Sequence, residues 1–149
     1  MIIKFLDQLN QISLKIIKKI KKQDCLLLFG EIGVGKTTLT RAIINNIQKK
    51  NKQSETEVLS PTFNLVYEYE INPFKIMHYD LYRLKSDKEV QQLDIFGQEI
   101  NSIKIIEWAK IIKNKPENRL EIYLTYNNIK DYRNIKFKGF GRWKDFDAS

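Results

Sequence analysis

Gly30, Gly33, Gly35, Lys36 and Thr37 fall in the order G-x-x-x-x-G-K-[ST] within "LLLFGEIGVGKTTLTRAI". That spacing suits phosphate chemistry. The glycines let the backbone turn tightly and bring its N–H groups onto phosphate oxygens. Every residue of the turn, Gly30, Glu31, Ile32, Gly33, Val34 and Gly35, therefore belongs to the expected nucleotide site. Lys36 is placed to reach the β- and γ-phosphates and the Thr37 hydroxyl to ligate Mg²⁺, with Thr38 adding a phosphate contact. The substrate expected is a nucleoside triphosphate.

A loop of this kind needs a carboxylate at the end of a second buried strand, to hold Mg²⁺ or orient the attacking water. Two residues end strand-like runs: Glu107 after "IKII" and Asp80 after "KIMHY". The Glu107 run is the more apolar and suits a position beside the loop strand. Glu107 is thus the preferred metal-side carboxylate and Asp80 a second active-site acid, with His78 and Arg83 as neighbours able to hold it. Ser60, Pro61 and Thr62 open the segment "SPTFNLVYEYE". Their hydroxyls could sense a γ-phosphate as switch segments do, or the segment could simply turn into a strand. His78, the only histidine, reads as structural or as an orienter of Asp80. Trp108 reads as a core aromatic.

The elements that must position these residues follow from periodicity. "CLLLF" (25–29) is a continuously apolar run bounded by Gly30 and reads as a buried central strand. A helical pattern follows over 36–49. Residues 63–70 and 74–79 read as two strands of an antiparallel hairpin, 103–108 as a further buried strand, and 119–126 and 133–140 as half-exposed strands. A basic amphipathic helix is expected over 10–22, with Ile12, Ile16, Ile17 and Ile20 inward. It reads as a surface helix rather than one lying on a membrane or on RNA. Residues 86–101 suggest a short helix and a turn, and 141–149 a loose tail. Arg133 reads as an exposed strand arginine in preference to one near the nucleotide or a partner.

The 149 residues suggest one domain, 1–149. A net charge of +8 favours acidic partners such as nucleotides, nucleic acid or an acidic protein surface. Lysine is abundant throughout, which weakens the charge as a sign of RNA binding. One cysteine, Cys25, allows no internal disulfide and fits a reducing cytosol; it reads as a small buried residue. No apolar run approaches the roughly 18 residues of a membrane span. A cytoplasmic protein with no membrane and no DNA partner is expected.

The blocks "GEIGVGKTTLTR", "SPTFNLVYEYE", "HYDLYRL" and "IIEW", in that order, resemble the bacterial TsaE family of threonylcarbamoyladenosine-biosynthesis ATPases. The resemblance implies an α/β fold: a P-loop NTPase domain whose central mixed, partly antiparallel β-sheet is flanked by helices. It implies a weak ATPase, using ATP and Mg²⁺, that supports the TsaB–TsaD pair and meets tRNA only through that assembly. The assembly transfers a threonylcarbamoyl group to N6 of adenosine 37 in tRNAs reading codons that start with A. By motif position Thr37 and Glu107 take the magnesium role, Asp80 is a functionally important acid, and Ser60–Thr62 becomes a switch and partner segment. The chain departs from the family pattern after the Glu-Trp pair, where it has Ala109 and Lys110 in place of Pro and an acidic or polar residue.

Two other classes compete. A small-molecule kinase would need a lid of arginines to clamp an acceptor phosphate, and the five arginines here are scattered. A plain RNA-binding module would show a glycine-aromatic or KH-type signature, and none is present.

Overall fold

The apolar pentapeptide at Cys25–Phe29 is the middle strand of a seven-stranded mixed sheet in the computed structural model, which describes residues 1–149. In chain order the elements are β1 (Ile2–Lys4), α1 (Phe5–Lys19), β2 (Cys25–Phe29), α2 (Lys36–Lys50), β3 (Val66–Glu70), β4 (Lys75–Asp80), α3 (Asp87–Leu93), β5 (Ser102–Glu107), β6 (Arg119–Tyr126) and β7 (Tyr132–Phe140). The strands lie in the order β1-β7-β6-β2-β5-β4-β3. β2 runs parallel to both neighbours, β5 and β6, and β4 runs parallel to β5. The outer pairings β3–β4, β6–β7 and β1–β7 are antiparallel.

Continuous apolar runs occur where a strand is covered on both faces, and that is how β2 is used. Leu26 and Leu28 point with Ile105, Leu120 and Ile122 into a core shared with α1 and α2. Cys25 and Leu27 point the other way, with Met77, Tyr79 and Ile106, toward Val90 of α3 and Ala109. The layers are thus two helices on one face and a short helix with a 3₁₀ turn (Ala109–Ile111) on the other. No helix is long and apolar enough to cross a membrane.

Three expectations change. The first helix begins at Phe5, well before residue 10, because Phe5 and Leu9 extend the stripe of Ile12 and Ile16 into the core. It stops at Lys19, where the buried Asp24 carboxylate accepts from the Lys21 N–H at 2.8 Å and fixes the turn into β2. The strand expected from residue 63 begins at Val66. Leu65 adopts a left-handed conformation (φ 66°), and its N–H is taken by the Pro61 carbonyl at 2.7 Å. The short helix and turn expected over 86–101 are present: helix α3 spans Asp87–Leu93, capped by Ser86 and ended by left-handed Asp94.

The third correction concerns residues 141–149, which are not a loose tail. Trp143 has 0% of its surface exposed and packs edge-on against Phe146. The Arg142 guanidinium binds the Asp24 carboxylate and the Lys19 carbonyl. Lys15 Nζ donates to the Ala148 carbonyl at 2.8 Å. Gly139 is the residue that permits this return: a Cβ there would collide with the Trp143 carbonyl oxygen.

Candidate active site

The loop between β2 and α2 is held open by its glycines. Gly30 has φ 154° and Gly35 φ 121°. A Cβ on Gly30 would lie 2.6 Å from the Leu124 carbonyl, and one on Gly35 would strike the Phe5 ring. Helix α2 starts at Lys36 with Gly35 as its N-cap, so no side chain caps its first N–H groups. Such an end favours an anion through free donors and the positive end of the helix dipole. Val34 is an anchor: it is fully buried, and its carbonyl accepts from Arg133 Nε at 3.0 Å. Glu31 and Ile32 are exposed on the outside of the turn, with the Ile32 carbonyl bound by the Tyr126 hydroxyl at 3.0 Å.

Lys36 folds back over the loop. Its ammonium donates to the carbonyls of Gly30 (2.5 Å) and Glu31 (2.8 Å) and sits 4.0 Å from the centre of the Trp108 ring. Burial pushes the Lys36 ammonium below the ordinary lysine range, and the charges of Glu107, Asp80 and Glu31 oppose that shift.

The two carboxylates end adjacent parallel strands. Glu107 is in register with Leu28 on one side and Asp80 on the other. Its Oε1 accepts from the Thr37 hydroxyl at 2.8 Å, and its Oε2 lies 2.5 Å from His78 Nε2. Asp80 Oδ2 accepts from Ser60 Oγ at 3.0 Å and Thr62 Oγ1 at 2.8 Å, while Oδ1 accepts from the Tyr82 N–H at 2.9 Å. Both carboxylates are 2% exposed.

These groups surround one cleft of about 230 Å³, lined by Lys36, Thr37, Thr38, Ser60, Thr62, Asp80, Glu107 and Trp108 among others. Pro61 stands behind it, buried, between the two hydroxyl residues. A second cavity of about 400 Å³ shares Gly33, Gly35 and Thr38 with the cleft and adds Phe5, Leu6, Asp131 and Arg133. The sequence-predicted residues therefore converge, from segments far apart in the chain.

Some neighbours differ from expectation. His78 contacts Glu107, not Asp80. Strand alternation carries the signal, because His78 shares the Asp80 face and β5 brings Glu107 alongside. Arg83 does not hold Asp80 either; it lies 5.4 Å from the Phe63 ring. Trp108 is left-handed (φ 58°) and half-buried: it packs against the edge of the core on the α3 side while its ring also lies under Lys36 and against Tyr82. Arg133 is half-buried against Tyr126 and braces the loop. Nothing in its strand pattern distinguishes it from an exposed arginine.

Comparison with known proteins gives a consistent answer. The sequence model of a family described as "Threonylcarbamoyl adenosine biosynthesis protein TsaE" matches residues 3–135. The chain is 38% identical over 109 residues to the tRNA threonylcarbamoyladenosine biosynthesis protein TsaE of Rickettsia felis, covering 72% of this chain and 61% of that one. It is 34% identical over 126 residues to the protein of the same name from Haemophilus influenzae, covering 82% of this chain and 75% of that one. The crystal structure of Bacillus subtilis YdiB superposes with a TM-score of 0.67 at 26% identity, over 91% of this chain and 80% of that one. The chain spans about three-fifths of the length of the Rickettsia felis and Rickettsia conorii relatives it matches.

Proposed function

This chain belongs to the TsaE family, and on that footing we propose that it is a cytoplasmic, magnesium-dependent ATPase serving tRNA threonylcarbamoylation. It hydrolyses ATP to ADP and phosphate in support of the TsaB–TsaD pair, which itself carries the group to N6 of adenosine 37. Contact with tRNA comes through that assembly. The observation that carries this reading is the 2.8 Å hydrogen bond from Thr37 to Glu107. It joins the first residue after the loop lysine to the carboxylate that ends the neighbouring strand.

In this reading the triphosphate lies along the start of α2, and the nucleoside extends into the second cavity beside Phe5 and Leu6. The Lys36 ammonium exchanges the carbonyls of Gly30 and Glu31 for phosphate oxygens. Asp80, with Ser60 and Thr62 on its Oδ2, faces the same cleft and is placed to orient a water. Thr37 and Glu107 would hold Mg²⁺. Their hard oxygens suit it, and with these two ligands from the protein the cation would be completed by phosphate and water. The ion would neutralise charge gathering on the phosphate oxygens.

The arginines argue against a kinase. Arg41 donates to the Val58 carbonyl, Arg119 pairs with Glu121, Arg142 with Asp24, and Arg133 with the Val34 carbonyl. None lines the cleft around Lys36, so an acceptor phosphate would find no clamp there. The lack of such an arginine also makes the isolated chain a slow ATPase, since an arginine finger is worth about 10³–10⁵ in rate. The test is ATP turnover with and without the TsaB–TsaD pair. Phosphate release stimulated by the pair, with no phosphorylated small molecule, is expected; a phosphorylated acceptor would move the protein to the kinase class.

A further inference from the structure

We infer that His78 is a positioning residue for the proposed hydrolysis, holding the Glu107 carboxylate in the orientation that faces Thr37. The role rests on the ATPase reading and names a residue that the reading itself does not use.

His78 is completely buried on β4. Its Nε2 is 2.5 Å from Glu107 Oε2. An ionised carboxylate only accepts hydrogen bonds, so Nε2 is the donor. The other ring nitrogen, Nδ1, is buried with no partner. The imidazole thus makes one side-chain hydrogen bond and leaves its second polar atom unsatisfied. Packing alone would favour an apolar side chain at such a position, because an unpaired buried polar atom is destabilising. What the imidazole adds over an apolar residue is its grip on Glu107.

That grip has a specific use. Glu107 has two side-chain partners, the Thr37 hydroxyl and the His78 ring. Thr37 is the residue proposed to turn its hydroxyl oxygen toward a cation. Once it does so, His78 is the one side chain still hydrogen-bonded to Glu107, and it sets which carboxylate oxygen is left to face the cation. A released Glu107 would be free to turn toward the Lys36 ammonium, on which it is the strongest acidic influence. Each group would then neutralise the other instead of serving the nucleotide. Partners that orient a ligating carboxylate typically contribute about 10–100-fold to metal affinity or activity.

The chain has a single histidine, so its ring N–H resonance is unambiguous. In the full chain we expect that signal far downfield, moving upfield in Glu107→Gln. His78→Leu should lower the Mg²⁺ affinity of the protein bound to a non-hydrolysable ATP analogue by about 10–100-fold, and hydrolysis by a similar factor. Binding of the analogue in EDTA should be unchanged. His78→Gln, whose amide N–H reaches toward the same oxygen, should recover most of the Mg²⁺ affinity and supplies a folded variant if His78→Leu is unstable. A ring signal indifferent to Glu107→Gln, or Mg²⁺ affinity retained in His78→Leu, would overturn the role. If His78→Leu does not fold, failure of His78→Gln to retain more Mg²⁺ affinity than His78→Asn, whose shorter amide cannot reach the carboxylate, overturns it equally. A parent chain that binds no ATP overturns the ATPase reading and the role with it, and is told apart from failure of the role alone by that binding measurement.

Discussion

Asp80 and Glu107 stand opposite each other in register at the carboxyl ends of β4 and β5, yet no group bonds to both. Hydroxyls from the 60–62 segment hold the first; Thr37 of α2 and His78 of β4 hold the second. Two adjacent acids thus answer to different parts of the chain. Glu107→Gln keeps the shape and removes the charge. It should lower Mg²⁺-dependent hydrolysis by more than the ~10–100-fold expected for losing a residue that only orients a metal ligand, with little change in melting temperature. Steady-state phosphate release beside a thermal melt checks it. Unchanged hydrolysis in Glu107→Gln, with Asp80→Asn inactive, would reverse the two assignments.

Lys36 is bound to two carbonyls of its own loop and covers Trp108. Lys36→Ala should weaken ATP binding on the order of tenfold to a hundredfold, as expected for losing charge-assisted hydrogen bonds of about 1.5–3 kcal/mol. Adenosine binding should be untouched. Calorimetric titration of both ligands reads the contrast; equal ATP affinity in parent and variant would remove Lys36 from the phosphate site.

The Ser60–Thr62 segment is tied to Asp80 by side-chain hydroxyls alone. If ATP reorganises those hydroxyls and the ordered form meets TsaB–TsaD, then the partner must tighten ATP by the same factor. Partner affinity measured with ATP and with ADP should differ by about 5–150-fold, and Thr62→Val should shrink that difference. The same affinity in both nucleotide states would rule out nucleotide-gated docking.

Trp143 tests the closing segment. Trp143→Ala should cost about 3–5 kcal/mol, the range for emptying a buried aromatic site. Trp143→Phe should cost much less, since the indole N–H is already unpaired. Urea denaturation distinguishes them. A loss below about 1 kcal/mol for the alanine variant would mean that this segment contributes little to the core.

Legibility in the sequence followed locality. The strand–loop–helix unit around Gly30–Thr37 was readable because an apolar run, glycine spacing and a helical stripe are adjacent in the chain. Placing Glu107 beside the loop strand was readable from the apolar character of "IKII", and β5 does pair with β2. β1 was invisible: three residues have no periodicity, and their partner is β7, at the far end of the chain. Trp143 was missed for the same reason, since its burial comes from a return of the chain past Gly139. The left-handed turn at Trp108 and the brace from Arg133 depend on tertiary contacts that no single segment encodes.

The parallel pairing of β2 with β5 and β6 has a kinetic consequence. Thr37 and Glu107, which meet at 2.8 Å, are 70 residues apart in the chain. Non-local closure of this kind slows folding, and a half-folded chain can possess the glycine loop without possessing the cleft. ATP should therefore discriminate between complete and incomplete chains, binding tightly only after the central strands have zipped together. By mass action, nucleotide at a hundred times its dissociation constant adds about 2.7 kcal/mol to the folded state. If the chain binds ATP as proposed, the cell's own ATP pool would then act as a conformational guardian of its folded state.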